Sequence, residues 1–209
     1  MIRPEGFRGA AFGSAADGDA RGDRAARLRI AEAIGINPSW ASVRQIQGAQ
    51  VVTATQPGLL GAADAILTAT TDRPVCVATA DCVPVIIEGE QTTAIVHAGW
   101  RGVVAGVVDA ALSALVAAGD TPRRAAVGPA IGPCCYEVGD EVTTQLEPHV
   151  ATTTWGAPSV DLPSAVVAQL GNLPVWRSET CTFTSDALNS YRRNRTEMRQ
   201  TAVTWLPTD

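Results

Sequence analysis

Two side chains in this sequence can do chemistry together at neutral pH: the thiol of Cys82, within Thr79-Ala-Asp-Cys-Val-Pro84, and the imidazole of His97, within Val96-His-Ala-Gly-Trp-Arg-Gly102. A thiolate and an imidazole can hold a borderline divalent metal such as zinc. Equally, the imidazole can draw down the thiol pKa, so that the pair acts as nucleophile and base. Spacing alone leaves both open. Asp81, beside Cys82, is a candidate to orient His97 or to carry a proton. Arg101 stands in a Gly-Trp-Arg-Gly loop that opens a helix, where an anion such as phosphate is received by free N–H groups and the helix dipole. A third segment, Gly128-Pro-Ala-Ile-Gly-Pro-Cys-Cys-Tyr-Glu-Val138, adds two adjacent thiols, Cys134 and Cys135.

Each of these residues also has a plain reading. A cysteine beside an apolar strand is more often a small core residue than a ligand. A single histidine at a strand end is more often structural than catalytic, and the Arg192-Arg193 pair alone reads as a solvated face. His149, in a polar Glu-Pro-His stretch, is expected at the surface. With two histidines in the whole chain no His-rich site can be built, so copper is the weaker metal candidate.

Periodicity predicts the elements that must position these groups. Ala25, Leu28, Ala31 and Ile34 share one face of a helix expected over Asp19–Ile34, with Gly35 as its stop. Short β-branched runs at Ser42–Gln47, Val51–Thr55, Val75–Thr79, Val83–Glu88 and Thr93–His97 read as strands. Apolar spacing predicts one helix over Gly102–Ala118, a strand at Ala125–Val127, helices over Val138–Leu146 and Pro163–Leu170, and a final strand at Thr201–Leu206. Pro163 is expected at the first helical position. Residues 1–19 read as an irregular lead-in. The expected fold is α+β: one domain over residues 1–209, with mixed β-sheets flanked by helices.

Composition narrows the classes of function. At 209 residues, with 46% hydrophobic and 18% charged, the chain can bury a sizeable core. A net charge of -5 argues against nucleic acid or an anionic membrane as the main partner. All 16 basic residues are Arg, so neither a Schiff-base lysine nor a P-loop lysine is available. No signal-peptide pattern and no membrane-spanning run is visible, and five cysteines with two adjacent do not read as a disulfide framework. The expectation is a reduced, cytoplasmic protein with a small-molecule substrate.

Taken in order, Ala80-Asp-Cys-Val-Pro84, His97-Ala-Gly-Trp-Arg-Gly102, Gly128–Val138 and the tail Cys181-Thr-Phe with Ser190-Tyr-Arg-Arg193 resemble the laccase-domain (YfiH-type, "polyphenol oxidase") family of purine nucleoside phosphorylases, from about residue 40 to the C-terminus. The resemblance implies an architecture related to bacterial toxin cysteine hydrolases. It also implies a zinc site of one Cys and two His, matched here by Cys82 and His97. The implied activities are phosphorolysis of purine nucleosides and deamination of adenosine. A copper-oxidase label and a link to peptidoglycan editing also attach to the family. Where the family's upstream Gln-Val-His-Gly carries its second His, this chain reads Gln45-Ile46-Gln47-Gly48, so the third metal position is Gln47. The family's Gly-Gly-Val-Ser is not recognisable in residues 1–19, and its Thr-Gly-Arg reads Glu197-Met198-Arg199. Gln45, Arg101, Cys135 and Arg192 are the substrate-binding residues the resemblance implies. The alternatives are a descendant with impaired catalysis that binds a nucleotide or cell-wall precursor, and a metal-free Cys–His hydrolase.

Overall fold

The computed structural model describes residues 1–208. In chain order the elements are β1 (Ala10–Phe12), α1 (Arg24–Ile34), β2 (Ala41–Arg44), β3 (Val51–Thr53), β4 (Gly58–Ala62), β5 (Ala65–Thr68), β6 (Val75–Thr79), β7 (Val83–Glu88), β8 (Thr93–Ala98), α2 (Trp100–Val104), α3 (Val107–Ala117), β9 (Arg124–Val127), α4 (Asp140–Thr143), β10 (Val150–Thr152), β11 (Pro158–Val160), α5 (Leu162–Gln169), β12 (Val175–Arg177), α6 (Tyr191–Asn194) and β13 (Gln200–Thr204). Two mixed sheets carry the fold: a five-stranded one ordered β1-β13-β6-β2-β4 and a six-stranded one ordered β12-β9-β7-β8-β5-β3. β10 and β11 form a separate antiparallel ribbon.

Side-chain alternation explains why these sheets stack. On β7 and β8, Ile86 and Ile95 point one way and meet Phe12, Val43, Val75 and Val77 of the five-stranded sheet. Val85, Ile87, Ala94 and Val96 point the other way, onto Val108, Ala111 and Leu115 of α3 and Leu162 and Val166 of α5. The outer face of the five-stranded sheet, through Ala11, Cys76 and Val203, is covered by Ile30 and Ala31 of α1 and by Trp40. The order of layers is therefore helix, sheet, sheet, helix. β7 and β8 have no exposed face, so they read as unbroken apolar runs.

The expected α+β class with mixed sheets and flanking helices is the observed one, but several boundaries differ. α1 begins at Arg24, not Asp19, because the Asp23 carboxylate caps the Ala25 N–H; it ends, as expected, at Gly35 in the left-handed conformation. The single helix expected over Gly102–Ala118 is two helices, because Gly106 takes φ +80° between α2 and α3. Pro163 occupies the second helical position of α5, since Asp161 is the cap and Leu162 the first residue. The helix expected over Val138–Leu146 is only the single turn α4. The last strand is Gln200–Thr204. Residues 1–19, expected to be irregular, contain edge strand β1, whose three residues pair with Ala202–Thr204. That strand is too short and too rich in alanine to show a period. Among the described residues no helix is long and apolar enough to cross a membrane.

Gly106 lets α2 leave the sheet at one angle and α3 return along it at another. In Gly106→Ala a Cβ enters left-handed backbone at about 1–2 kcal/mol. The urea-unfolding midpoint should fall accordingly, and an unchanged midpoint would mean that the α2–α3 junction relaxes freely.

Candidate functional site

Four connections carry the chain from one sheet to the other at the same end of the sandwich: β2 to β3, β4 to β5, β6 to β7, and β12 to β13. Parallel pairing of β2 with β6 and with β4 puts their C-terminal ends together, and antiparallel β13 starts beside the end of β6, with Gln200 opposite Thr79. Chemistry-bearing residues collect at these corners. Two of them have left-handed backbone without being glycine: Gln47 (φ 58°) and Asp81 (φ 94°). Such conformations cost on the order of 1–3 kcal/mol each and persist only when the surroundings fix them.

The first corner is fixed by Asp64, a fully buried carboxylate on the β4–β5 connection. It accepts hydrogen bonds from the backbone N–H groups of Ile46, Gln47 and Gly48, at 2.7–3.2 Å, and lies 2.8 Å from Nδ1 of His97. Its own carbonyl accepts the His97 backbone N–H at 2.7 Å. Burial alone would raise the Asp64 pKa, but the His97 contact and the Gly48 and Gln47 N–H groups hold it below the ordinary carboxylate value. His97 shows the opposite balance. Burial pulls its pKa down, yet neighbouring Cys82 and the Asp64 carboxylate favour the charged ring and carry it up to about 9. With Nδ1 engaged by Asp64, Nε2 is the nitrogen left for other partners.

Cys82 joins His97 because the β7–β8 hairpin sets Val83 opposite Ala98 and Pro84 opposite His97. Gln47 closes the group: a Cβ on Gly99 would stand 3.2 Å from Gln47 Oε1 and 3.3 Å from Cys82 Sγ, so the two atoms converge over that glycine. The set is one cysteine sulfur, one imidazole and one amide oxygen. This fits a borderline divalent ion held by two strong donors and one weak one.

These three residues form the floor of a cleft of about 410 Å³ whose walls include Gln45, Thr79, Tyr191, Arg21 and Arg199. Two arginines and an aromatic residue therefore share the cleft with the Cys82–His97 pair; the Arg21 guanidinium is paired with Asp19 at 3.1 Å, and that of Arg199 stacks over Tyr191 and donates to the Thr196 and Met198 carbonyls. The Thr79 hydroxyl is buried in this wall and has no hydrogen-bond partner among the described residues, which leaves it free for a ligand. Gln45 does not have that freedom. Its amide donates to the Ala78 carbonyl at 2.8 Å and accepts the Ala78 N–H at 3.0 Å, taking the place of a strand where β2 has left β6.

The remaining expected site residues do not line this cleft, although Asp81, Arg101 and Arg192 share with Cys82 the surroundings of the buried Tyr136 hydroxyl. Asp81 does not orient His97; Asp64 does. The Asp81 carboxylate instead accepts the Thr182 hydroxyl at 2.7 Å and the Arg192 N–H at 2.6 Å, because its left-handed backbone turns it toward the C-terminal segment. Arg101 is exposed and stacks over Trp100, 4.2 Å from the ring centroid, outside the cleft lining. Arg192 packs over Tyr136 and donates to the Glu137 carbonyl. Arg193 clasps the carbonyls of Thr182, Phe183, Ser185 and Leu188, so it is not the solvated charge its sequence context predicts. Cys135 is buried against Cys134 and away from the cleft, and His149 is half-buried. Asp64, Thr79, Arg21 and Tyr191 escape the sequence reading. Thr79 and Tyr191 fall inside motif segments that stand out in the sequence but carry no role there, and Asp64 shows only as a lone charge in the apolar run Ala62-Ala-Asp-Ala-Ile-Leu67.

Comparison with known proteins gives a consistent picture. The family described as multi-copper polyphenol oxidoreductase laccase matches residues 2–207. A purine nucleoside phosphorylase (ORF3) of Streptomyces griseus is 37% identical, over 96% of this chain and 90% of its own length. A purine nucleoside phosphorylase of Pseudomonas aeruginosa is 33% identical, over 93% of this chain and 85% of its own. Among solved structures, YlmD from Geobacillus stearothermophilus superposes with a TM-score of 0.80 at 28% identity, covering 89% of this chain and 82% of that one. The Bacillus licheniformis protein YfiH, at 23% identity and a TM-score of 0.81 over 90% and 82% of the two chains, shares the fold.

Asp64→Asn should cost about 3–5 kcal/mol, the usual penalty for removing one partner of a buried charged pair. The loss should depend on pH. In metal-free protein the His97 contribution is complete below the ordinary imidazole value of 6.5 and disappears as pH rises through about 9. The Asp64 contribution is present above 3.8 and is lost as pH falls through its lowered value. Unfolding of wild type and variant should therefore differ most between pH 4 and 6.5, with the difference shrinking as pH rises through about 9; a difference that is flat with pH would rule out this linkage.

Proposed function

The chain belongs to the multi-copper polyphenol oxidoreductase laccase family, of the YfiH type, and on that premise we propose that its cleft carries out phosphorolysis of purine nucleosides. The observation that supports this most directly is that one cleft is lined by Cys82 and His97 together with the cationic residues Arg21 and Arg199. The relatives' names supply the substrate class.

Arg21 and Arg199 hold the phosphate dianion, which planar guanidinium groups recognise well. Tyr191 packs against the purine ring, and the unpartnered Thr79 hydroxyl takes a polar group of the nucleoside. A phosphate oxygen bonds to the ribose C1′ as the glycosidic bond breaks, and the base leaves with a proton. His97, charged at neutrality and fixed by Asp64, stands at the cleft floor to supply that proton. Zinc, the family's implied metal, would be held there by Cys82, His97 Nε2 and, weakly, Gln47 Oε1. That ion would supply Lewis-acid polarisation, and with His97 Nε2 engaged the leaving base would take its proton from solvent in the open cleft. Adenosine deamination at the same floor is the second activity this reading allows, with water in place of phosphate.

The test is phosphate-dependent release of adenine from adenosine. Cys82→Ala and His97→Ala should each lower kcat/KM by about a hundredfold, and Arg199→Gln should act mainly on the KM for phosphate. Ligand-induced stabilisation with no turnover would replace this reading with that of a nucleoside-binding protein. For the metal, Gln47→His should tighten zinc by about tenfold or more in competition with a chromogenic chelator, since imidazole is the better donor. Unchanged affinity would place Gln47 outside the coordination sphere.

A further inference from the structure

A second cluster of chemically capable side chains lies beyond the cleft. The sulfurs of Cys134, Cys135 and Cys181 all fall within 4.8 Å of one another. Cys134 Sγ is 3.7 Å from Cys181 Sγ and 2.9 Å from Cys135 Sγ. None of the three lines the cleft. Cys181 and Cys134 are half-buried, so the group can be reached from solvent, while Cys135 closes it from beneath. From these observations we propose that Cys134, Cys135 and Cys181 form a three-thiolate site for a soft monovalent metal ion, cuprous copper.

Three arguments carry the assignment. The first is spacing: sulfurs about 2.3 Å from one ion in a trigonal plane stand about 4 Å apart; the Cys134–Cys181 separation of 3.7 Å is close to that, and the Cys134–Cys135 separation of 2.9 Å must open by a rotation of one side chain on binding. The second is ligand number. Among the described residues no other Cys, His, Asp or Glu joins the cluster. Structural zinc takes four ligands, whereas thiolates alone, in a set of three, suit a soft d10 ion. The third is preorganisation. Residues 128–135 and 181–185 are tied by a parallel bridge between Ala130 and Cys181 and by the Thr182 N–H on the Ala130 carbonyl at 3.0 Å. The Pro133 and Cys134 carbonyls are fixed by the Ser159 hydroxyl and the Thr154 N–H. In addition, the Gly132 N–H donates to Cys181 Sγ at 3.2 Å. Binding releases three thiol protons and leaves a site of net charge -2, with the ion's oxidation state unchanged.

Anaerobic titration with Cu(I) against bicinchoninate tests the proposal, in a Cys82→Ser background that removes the cleft thiol. One ion per chain is expected, with ultraviolet thiolate-to-copper absorption. Affinity should fall at least a hundredfold when Cys181→Ser or Cys134→Ser is added. Equal affinity in those variants overturns the site, and tighter retention of Zn(II) than of Cu(I) overturns the choice of ion. A measurement on the wild-type chain does not depend on the variants' folding: Cu(I) should protect Cys134 and Cys181 from iodoacetamide, read by peptide mass spectrometry. Unprotected thiols, or a Cys134–Cys135 disulfide that persists in reduced glutathione, also overturn it.

Discussion

The site hangs on one buried carboxylate. Asp64 has no solvent exposure, and its charge is answered by three consecutive backbone N–H groups and one imidazole. Removing such a charge from water is costly, and only a full set of donors makes the burial tolerable. That requirement fixes both the path of residues 46–48 and the ring of His97, and therefore the relative placement of Gln47 and His97. The left-handed backbone of Gln47 follows from it: the loop must turn three successive N–H groups onto a single acceptor. Asp81 does the equivalent for the C-terminal segment, gathering Thr182 and Arg192, while its carbonyl takes the Ile131 N–H. The two carboxylates divide the work. One sets the floor of the cleft, and the other anchors the segment that leads to Tyr191 and Arg199.

The topology explains why so much polar structure is found at one end. A sandwich whose chain switches sheets must break its ladders at each switch, and every break frees backbone groups that need partners. Here the breaks at Gln45–Gln50, Ala63–Asp64 and Ala80–Cys82 lie side by side and satisfy one another with side chains. The Gln45 amide bonded both ways to Ala78 is the plainest case. Function occupies the same corner because it is where unsatisfied donors, turned side chains and an open cleft coincide.

Local chemistry was legible in the sequence; partnerships across the sheets were not. The runs around Val83–Glu88 and Thr93–His97 announced strands because β-branched residues fill both faces of a buried ladder. Cys82 and His97 stood out because reactive side chains ended those strands. Asp64 did not, since a carboxylate in an apolar run shows its purpose only when the donors from residues 46–48 are seen around it. Asp81 was assigned to His97 on sequence proximity to Cys82, but its φ of 94° turns it toward Thr182. Arg21 and Arg199 are far apart in the chain, and no periodicity connects them. Gly106 was read as a position in a continuous helix because the apolar stripe runs through it, whereas its left-handed backbone splits that helix.

The β7–β8 hairpin brings Cys82 and His97 together, and Asp64 reaches them through β5, whose Ala65 pairs with Val96 of β8 in the same sheet, whereas Arg21 and Arg199 come from segments outside that sheet. The thiol, the imidazole and the carboxylate that orients the ring therefore belong to one ladder, and the cations that would admit an anion are brought to it from elsewhere in the fold. Alignment of the reactive pair and access for an anion thus have separate structural origins: one sheet directs the pair, and what lies outside that sheet opens it to charge.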